Sequence, residues 1–408
     1  MNLIPIDIDT IRVGHRLPFS LRSSQGALLA HKGFLVESKE YLLAMVGSGV
    51  TLFVDVTESD AQRRAYVGKL YDLVQEDKPL GKIARMNLSS GDLETSAGTG
   101  DDTPDWLDIQ VQANAALRDP NPEHFLARLD KLHAQVSRYS RRNPDGTLFA
   151  LIHLSCTELE LYSATHALLV CVMCGLTARE VLKWSPELEA TLCKAALTMN
   201  IGMMDLQDHL ATQPESPTSA QRQQIDQHVA ASLAQLKQMG ISEANWIEAV
   251  RGHHSRGPGA LSNMSPGQRM ARLIRRADTF AARLAPRANR IPNSPAAAMQ
   301  AIYFDEERQI DEAGAALIKA VGVYHPGSFV RLTNGEIAVV VRRGANTTTP
   351  RVAVLVNREG MPTGEHVTRD TSLREFRIVG SVAHRDVKVK LNLERFMPLT
   401  SGAFERPW

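Results

Sequence analysis

The sequence predicts a mainly α-helical protein with a small mixed α/β domain at its N-terminus and a small β subdomain at its C-terminus. Apolar residues recur at helical spacing from Trp106 to about Val323, while extended and alternating patterns flank this region on both sides. At 408 residues the chain is long enough for two or three domains. The expected organisation is a mixed α/β domain at 1–60, a helix and flexible linker at 61–105, a helical domain at 106–325 and the β subdomain at 326–408.

The N-terminal region alternates between strand and turn signals. RLPFSL and TLFVDV are typical of strands, and the turn SSQG is followed by the extended stretch ALLAHKGFLV. SKEYLLAMVGSG places a Ser at a helix start and a Gly at its end, which predicts a short helix. After a helical tendency from Ala61 to Met86, NLSSGDLETSAGTGDDTPD is nearly free of apolar residues, which indicates a flexible linker.

The helical region carries ionisable side chains on its apolar faces. One continuous stripe includes His166, a second places His228 between Ile225 and Leu236, and a third ends with Asp278. Groups of this kind are costly to bury unless they pair with each other or with a metal ion. The C-terminal stretches SFVRL, EIAVVVRR, RVAVLVN and EFRIVG then alternate as strands do, and TNGE predicts a hairpin turn.

The composition excludes several classes of function. A formal net charge of +1 and 5% aromatic residues argue against DNA or RNA as a partner. No apolar run reaches the roughly 20 residues that cross a bilayer, so no transmembrane segment and a cytoplasmic location are expected. Cys171 and Cys174 form a Cys-x-x-Cys, but they lie in an apolar helical stretch, which favours core packing over a zinc or redox site.

The segment LCKAALTMNIGM, from Leu192 to Met203, has one apolar face with Asn200 at its edge. This segment, placed between His166 and the later histidines, resembles one in the HD-GYP family of cyclic di-GMP phosphodiesterases. In that family the corresponding segment reads approximately ALLHDIGK. Met199 and Asn200 stand at the signature His-Asp positions, and Met203 stands where that family has a lysine. GPGALSNMSPGQ replaces the family's Asp-Gly-x-Gly-Tyr-Pro loop. The small N-terminal unit and the C-terminal words YHPGSFVRLTNGEIAVVV also resemble this family.

The resemblance implies a degenerate metal site. The residues that match the family's remaining ligands are His166 in YSATH, His228 in IDQH, His253 and His254 in VRGHHSR, and Asp278 in RRADTFAARL. Imidazoles and carboxylates suit iron or manganese. The site is expected to hold at most one divalent ion, such as iron or manganese, with a metal-free protein as the alternative. Each histidine could instead be a core residue bonded to backbone, and Asp278 could pair with Arg275 one turn earlier.

Arginines follow these residues along the chain. Arg287 and Arg290, in RANR, match the Arg-x-Tyr-Arg region that lies over the ligand phosphates in the family. The alternative is a solvated basic face that includes the preceding arginines, Arg272, Arg275, Arg276 and Arg283.

Three functions follow from the resemblance. The first is a catalytically impaired protein of cyclic di-GMP signalling that binds the nucleotide or a signalling protein and retains no catalytic residue of the signature. The second is a residual metal-dependent cyclic di-GMP phosphodiesterase with an incomplete metal site. The third is a scaffold that has lost both metal and nucleotide. The sequence favours the first and leaves a homodimer open.

Overall fold

The computed structural model describes residues 3–6, 11, 17, 19–31, 34–36, 38, 51–55, 104–119, 121–157, 159, 161–257, 259–288, 294–364, 367–389 and 391–401. The predicted helix at 39–49, the helical tendency at 61–86 and most of the predicted linker lie outside these residues. The chain divides into two compact units, 1–109 with 391–396, and 110–390 with 397–408. The boundaries expected from the sequence stay a prediction.

The first unit contains a four-stranded antiparallel sheet in the order β1-β4-β2-β3. Its strands are β1 Leu3–Ile6, β2 Leu21–Arg22, β3 Leu28–Ala30 and β4 Leu52–Asp55. The β2–β3 turn falls on SSQG, where Gly26 adopts a φ of 87° that a side chain would oppose. The sheet buries one apolar cluster, which includes Leu21 on β2, Val54 on β4 and Phe19, two residues before β2. The predicted strand TLFVDV is confirmed as β4, and β3 falls within the predicted extended stretch ALLAHKGFLV, whereas of the predicted strand RLPFSL only Leu21 lies in a strand among the described residues.

Helices make up most of the chain from Trp106 onwards. Their bounds are α1 Trp106–Leu117, α2 Pro122–Arg142, α3 Pro144–Thr157, α4 Tyr162–Leu176, α5 Pro186–Thr198, α6 Met204–Thr212, α7 Ser219–Gln238, α8 Ala244–Gly252, α9 Pro266–Leu284, α10 Pro295–Tyr303, α11 Glu312–Val321 and α12 Leu393–Thr400. Local sequence explains several of the starts: Thr218 and Ser265 form capping boxes with Gln221 and Gln268, and these satisfy the first free N–H groups of α7 and α9.

Helix α4 forms the centre of the helical bundle. Every residue from Tyr162 to Leu176 is buried, and α3, α5 and α9 pack around it. Within the described residues, the helical stretch Tyr162–Val181 is apolar and long enough to cross a membrane, but 83% of its apolar window is buried inside the structure. Burial on all sides explains that composition. Cys171 and Cys174 are 2% and 0% exposed, in agreement with core packing.

The C-terminal strands form an antiparallel sheet in the order β8-β7-β6-β5-β9. They are β5 Phe329–Leu332, β6 Ile337–Arg342, β7 Arg351–Val356, β8 Thr368–Asp370 and β9 Ile378–Val382. The predicted TNGE hairpin joins β5 to β6, with Phe329 opposite Val339 and Gly335 at a φ of 92°. Arg343 follows β6 and donates from Nε to Asp145 of α3 at 2.6 Å, which links sheet and bundle within one unit. The predicted fold class is confirmed.

Candidate metal centre and adjoining cavity

Three histidines meet between α7 and the end of α8. His228 lies on α7, His253 is the C-cap of α8 and His254 follows it. The Nε2 atom of His228 is 3.2 Å from Nε2 of His253 and 3.2 Å from Nε2 of His254. One ring nitrogen from each of the three lies within 4.8 Å of the other two. Because α8 ends at Gly252, consecutive histidines can turn toward one centre, which a continuing helix would prevent.

Backbone carbonyls orient two of these rings. Nδ1 of His228 lies 2.5 Å from the carbonyl oxygen of Ile225, and Nδ1 of His253 lies 2.7 Å from that of Val250. A carbonyl oxygen only accepts, so each Nδ1 carries the hydrogen and each neutral ring presents a lone pair at Nε2. Burial, followed by the nearby charge of His254, lowers the pKa of His253 to about 4, which favours the neutral ring.

The spacing of the Nε2 atoms fits a shared metal ion. Two lone pairs that face each other at 3.2 Å repel unless a proton or a cation lies between them. Two nitrogens bound to one ion at the usual ~2.0–2.1 Å and the tetrahedral angle would lie ~3.3–3.4 Å apart. The donor set therefore has the chemistry and the spacing of a three-histidine site for one divalent ion.

The remaining predicted ligands, His166 and Asp278, pair with each other. Nε2 of His166 on α4 is 2.7 Å from Oδ1 of Asp278 on α9. Burial alone would raise the pKa of Asp278, but its bond to His166 and the positive potential of His166, His253 and His254 hold that pKa at about 2. The alternative pairing of Asp278 with Arg275 is not observed, because Arg275 binds Glu306. The ring of Tyr162 stacks on His166 with centroids 5.7 Å apart.

The signature positions lie in an irregular segment rather than in one continuous helix. Helix α5 ends at Thr198, a 3-10 turn spans Ile201–Met203, and α6 begins at Met204, so the helix expected across Leu192–Met203 is shorter than predicted. At this point the backbone N–H of Gly202 donates to Oγ of Ser232 on α7 at 3.0 Å instead of to a helix carbonyl, and a Cβ on Gly202 would lie 2.5 Å from the backbone nitrogen of Ser232. Met199 is buried in the core, and Asn200 is buried with no hydrogen-bond partner for its Oδ1 among the described residues.

A cavity of about 760 Å³ opens beside the histidines. Its lining combines aliphatic side chains with charged ones: Ile225, Asp226, His228, Val229, His254, Arg256, Arg275, Asp278, Thr279, Ala282 and Arg283. Met203, at the family's lysine position, instead lines a separate cavity of about 610 Å³ with Gly202 and Arg118. Position 203 therefore supplies no positive charge to the histidine cavity.

The arginines that follow the histidines have different roles from those predicted. Arg272 and Arg276 are buried and share Asp311, at 2.6 Å from Nε of Arg272 and 2.8 Å from Nη2 of Arg276. They are neither a solvated face nor free to bind phosphate. Their i, i+4 spacing placed them on one face, but nothing local identified Asp311, which lies 39 residues beyond Arg272.

Arg287 lies above Tyr162, outside the cavity lining. Its guanidinium carbon is 5.1 Å from the ring centroid, and its Nη2 donates to the tyrosine hydroxyl at 3.1 Å. Arg290 lies outside the described residues. The role of both arginines in phosphate binding stays a prediction. Sequence reasoning missed Arg256 and ranked Arg283 with the basic face, yet both line the histidine cavity.

The structure is thus a helical bundle in which three histidines converge, followed by an antiparallel C-terminal sheet. A curated relative, the cyclic di-GMP phosphodiesterase PA4108 of Pseudomonas aeruginosa, is 26% identical over 251 residues. This match covers 59% of this chain and 59% of the relative, so the chain spans about three fifths of the length of the curated relative it matches. The predicted resemblance to the HD-GYP family is confirmed. No protein-family model matches the chain.

A solved structure is also similar in outline. It is Bd1817, an HDG"Y"P protein from Bdellovibrio bacteriovorus, with a TM-score of 0.42 and 15% sequence identity. The similarity covers 78% of this chain and 98% of that one.

Proposed function

We propose that this protein acts in cyclic di-GMP signalling as a catalytically impaired HD-GYP-type protein that binds the nucleotide, or a protein partner, and transmits its presence. The relative of known activity is a cyclic di-GMP phosphodiesterase. The observation that carries the proposal is the arrangement of the site: three Nε2 atoms converge, while Asn200 stands at the signature aspartate and Asp278 is bound to His166. The three histidines that could bind a metal ion are therefore present, while the signature aspartate that the family uses for hydrolysis is replaced by Asn200.

The histidine cluster would hold one divalent ion, iron or manganese by analogy with the family. Such an ion supplies positive charge to a phosphate and lowers the pKa of a bound water from 15.7 to about 7. His228, His253 and His254 would donate the nitrogens, and the carbonyls of Ile225 and Val250 keep two of those rings in the required orientation. A second ion lacks a bridging carboxylate, because asparagine brings no charge and methionine is a soft ligand.

A residual phosphodiesterase is the alternative. The cavity favours it, because its lining includes His228, His254 and Asp278, so that a phosphodiester in the cavity would contact the candidate metal ligands. Against it stand the losses at Met199, Asn200 and Met203. These remove two metal ligands of the family and its lysine.

Metal analysis, nucleotide titration and a hydrolysis assay on the same purified protein separate these functions. We expect at most one tightly bound divalent ion per chain, lost in His254→Ala and retained in His209→Ala, because His209 is exposed on α6 and belongs to no cluster among the described residues. Hydrolysis of cyclic di-GMP should be negligible with manganese or iron. Turnover above background that His254→Ala abolishes would instead establish the phosphodiesterase.

Two or more stoichiometric ions per chain would refute the single-ion site. If the protein binds neither metal nor nucleotide, the scaffold function is the one that remains. The cytoplasmic location and a homodimer remain predictions of the sequence.

A further inference from the structure

The loop that follows His254 is held on both sides of one arginine. Nη1 of Arg275 donates to the carbonyl oxygen of Ser255 at 2.8 Å, and Nη1 of Arg272 donates to that of Gly257. Ser255 and Gly257 are the neighbours of Arg256. The backbone that carries Arg256 is therefore fixed by two guanidinium groups from α9, each through a charge-assisted hydrogen bond.

These two guanidinium groups are themselves anchored. Arg272 binds Asp311, which is 3% exposed, and Arg275 binds Glu306 with 2.5 Å between Nη2 and Oε1. The two anchors lie at and just before the start of α11, so helix α9 and the α10–α11 connection together define where the loop runs. A residue on a backbone held in this way loses little backbone freedom when its side chain binds a ligand.

The side chain of Arg256 has a different environment from its neighbours. It is exposed, it lines the histidine cavity, and no carboxylate lies within ion-pair distance of it among the described residues. Arg283, in the last turn of α9, shares all three properties. An ordinary explanation exists for Arg283, because a cation at a helix C-terminus interacts favourably with the helix dipole. That explanation does not extend to Arg256, which lies in a loop.

The charge balance at the cavity also favours an anion. Asp278 is paired with His166 and Arg275 with Glu306, so Arg256, Arg283 and Asp226 are the charged lining residues without an ion-pair partner in the described parts of the chain. Two positive groups and one negative group leave a net positive edge. The volume of about 760 Å³ falls in the usual range for small-molecule sites.

We propose that Arg256 and Arg283 bind the phosphate groups of a phosphodiester ligand at the edge of the histidine cavity, with Arg256 positioned by Arg272 and Arg275. This inference rests on the proposed function for the identity of the ligand, but not for its phosphate chemistry. The planar guanidinium fork matches two phosphate oxygens at once. Asp226, on the facing helix α7, opposes the same anion and limits its affinity.

The test is calorimetric titration of the whole 408-residue chain, loaded with manganese, with two ligands. One is cyclic di-GMP, and the other is bis(p-nitrophenyl) phosphate, a phosphodiester without a nucleobase. Arg256→Gln and Arg283→Gln should each weaken binding about tenfold, and Asp226→Asn should tighten it a few fold. Arg251→Gln is the matched control, since Arg251 is exposed on α8 but does not line the cavity, and it should leave affinity unchanged.

Two further readouts separate phosphate binding from a structural effect. Metal content should stay at the wild-type value in Arg256→Gln and Arg283→Gln. The decline in affinity with rising salt should be shallower in both variants than in wild type, because each variant forms one fewer ionic contact. Arg256→Lys should recover part of the affinity lost in Arg256→Gln.

The outcomes distinguish this inference from the proposed function. If cyclic di-GMP does not bind but the simple diester binds with the same dependence on the two arginines, the phosphate site stands and the nucleotide function fails. If the two glutamine variants bind both ligands as wild type does, or if the wild-type protein binds neither ligand, the inference is overturned. Binding that is lost in Arg287→Gln alone would assign the phosphate to the arginine above Tyr162 instead.

Discussion

Asp311 is predicted to be one of the most sensitive positions in the helical unit. Its Oδ2 accepts from Nε of Arg272 at 2.6 Å and from Nη2 of Arg276 at 2.8 Å, and its Oδ1 caps α11 by accepting from the backbone N–H of Gly314 at 2.8 Å. The three side chains of this ion network are at most 7% exposed. Asp311→Ala would leave two buried guanidinium groups without their carboxylate and one helix without its cap.

The magnitude follows from the separate contributions. Breaking a buried ion pair by removing one partner costs about 3–5 kcal/mol. The carboxylate of Glu306 reduces this loss, although its side chain is 30% exposed. Its Oε2 lies 3.9 Å from Nη1 of Arg272, and its Oε1 lies 3.9 Å from Nη2 of Arg276. Loss of the cap adds about 1 kcal/mol. We therefore expect Asp311→Ala to lower the free energy of unfolding by about 4 kcal/mol, and Asp311→Asn, which keeps a cap, by about 3 kcal/mol.

Urea denaturation followed by far-UV circular dichroism measures these changes, and hydrogen exchange in α9 and α11 assigns them to the helical unit. Glu307→Ala is the control, because Glu307 is exposed nearby, and it should change stability by less than about 0.5 kcal/mol. The argument fails if Asp311→Asn is as stable as wild type, or if Asp311→Ala loses less than about 1 kcal/mol, since neither arginine would then depend on the carboxylate.

Two other substitutions test the packing around the site and the core. Gly202→Ala should destabilise the protein by about 1–3 kcal/mol, because its Cβ would lie 2.5 Å from the backbone nitrogen of Ser232; Gly380→Ala, which has open space, is the comparison in the same urea titration. Burial lowers the pKa of His325 to about 4, below its unfolded value near 6.5, so the stability that neutral His325 allows is present above pH 6.5 and lost as the pH falls toward 4. Between pH 7.5 and pH 5 the free energy of unfolding should fall by about 2 kcal/mol less in His325→Leu than in wild type. An equal fall in the two proteins would contradict this.

The sequence predicted what depends on local periodicity. Helical stripes with a polar residue on the apolar side placed His166, His228 and Asp278 inside the bundle, and strand alternation with TNGE predicted the C-terminal hairpin. It could not predict which buried groups pair. Asp278 binds His166, which is 112 residues away, rather than Arg275 one turn earlier on its own helix. Which buried side chains pair depends on how the helices pack against each other, and the spacing of apolar residues along one helix does not predict that packing.

The break between α5 and α6 was hidden for a similar reason. Leu192 to Met203 has helical spacing throughout, but Gly202 must approach α7 closely, and its backbone N–H donates to Oγ of Ser232 at 3.0 Å. The residue that interrupts the helix is thus selected by a neighbour 30 positions later. The arginines of α9 show the same limit, because their spacing revealed a shared face but neither its burial nor its carboxylate.

Because α4 is buried on all sides, its apolar surface is only partly covered while the rest of the chain is being synthesised. This helix has no polar face to turn toward water, and its neighbours α3 and α5 are close in sequence, but α9 is not complete until Leu284. At the usual ~5–20 residues per second, the ribosome adds the roughly one hundred residues between α4 and the end of α9 in ~5–20 s. During that interval one side of an apolar helix has no permanent cover and is open to aggregation. The order of helices along the gene therefore sets how long the nascent protein depends on α3 and α5, or on a chaperone, to shield it.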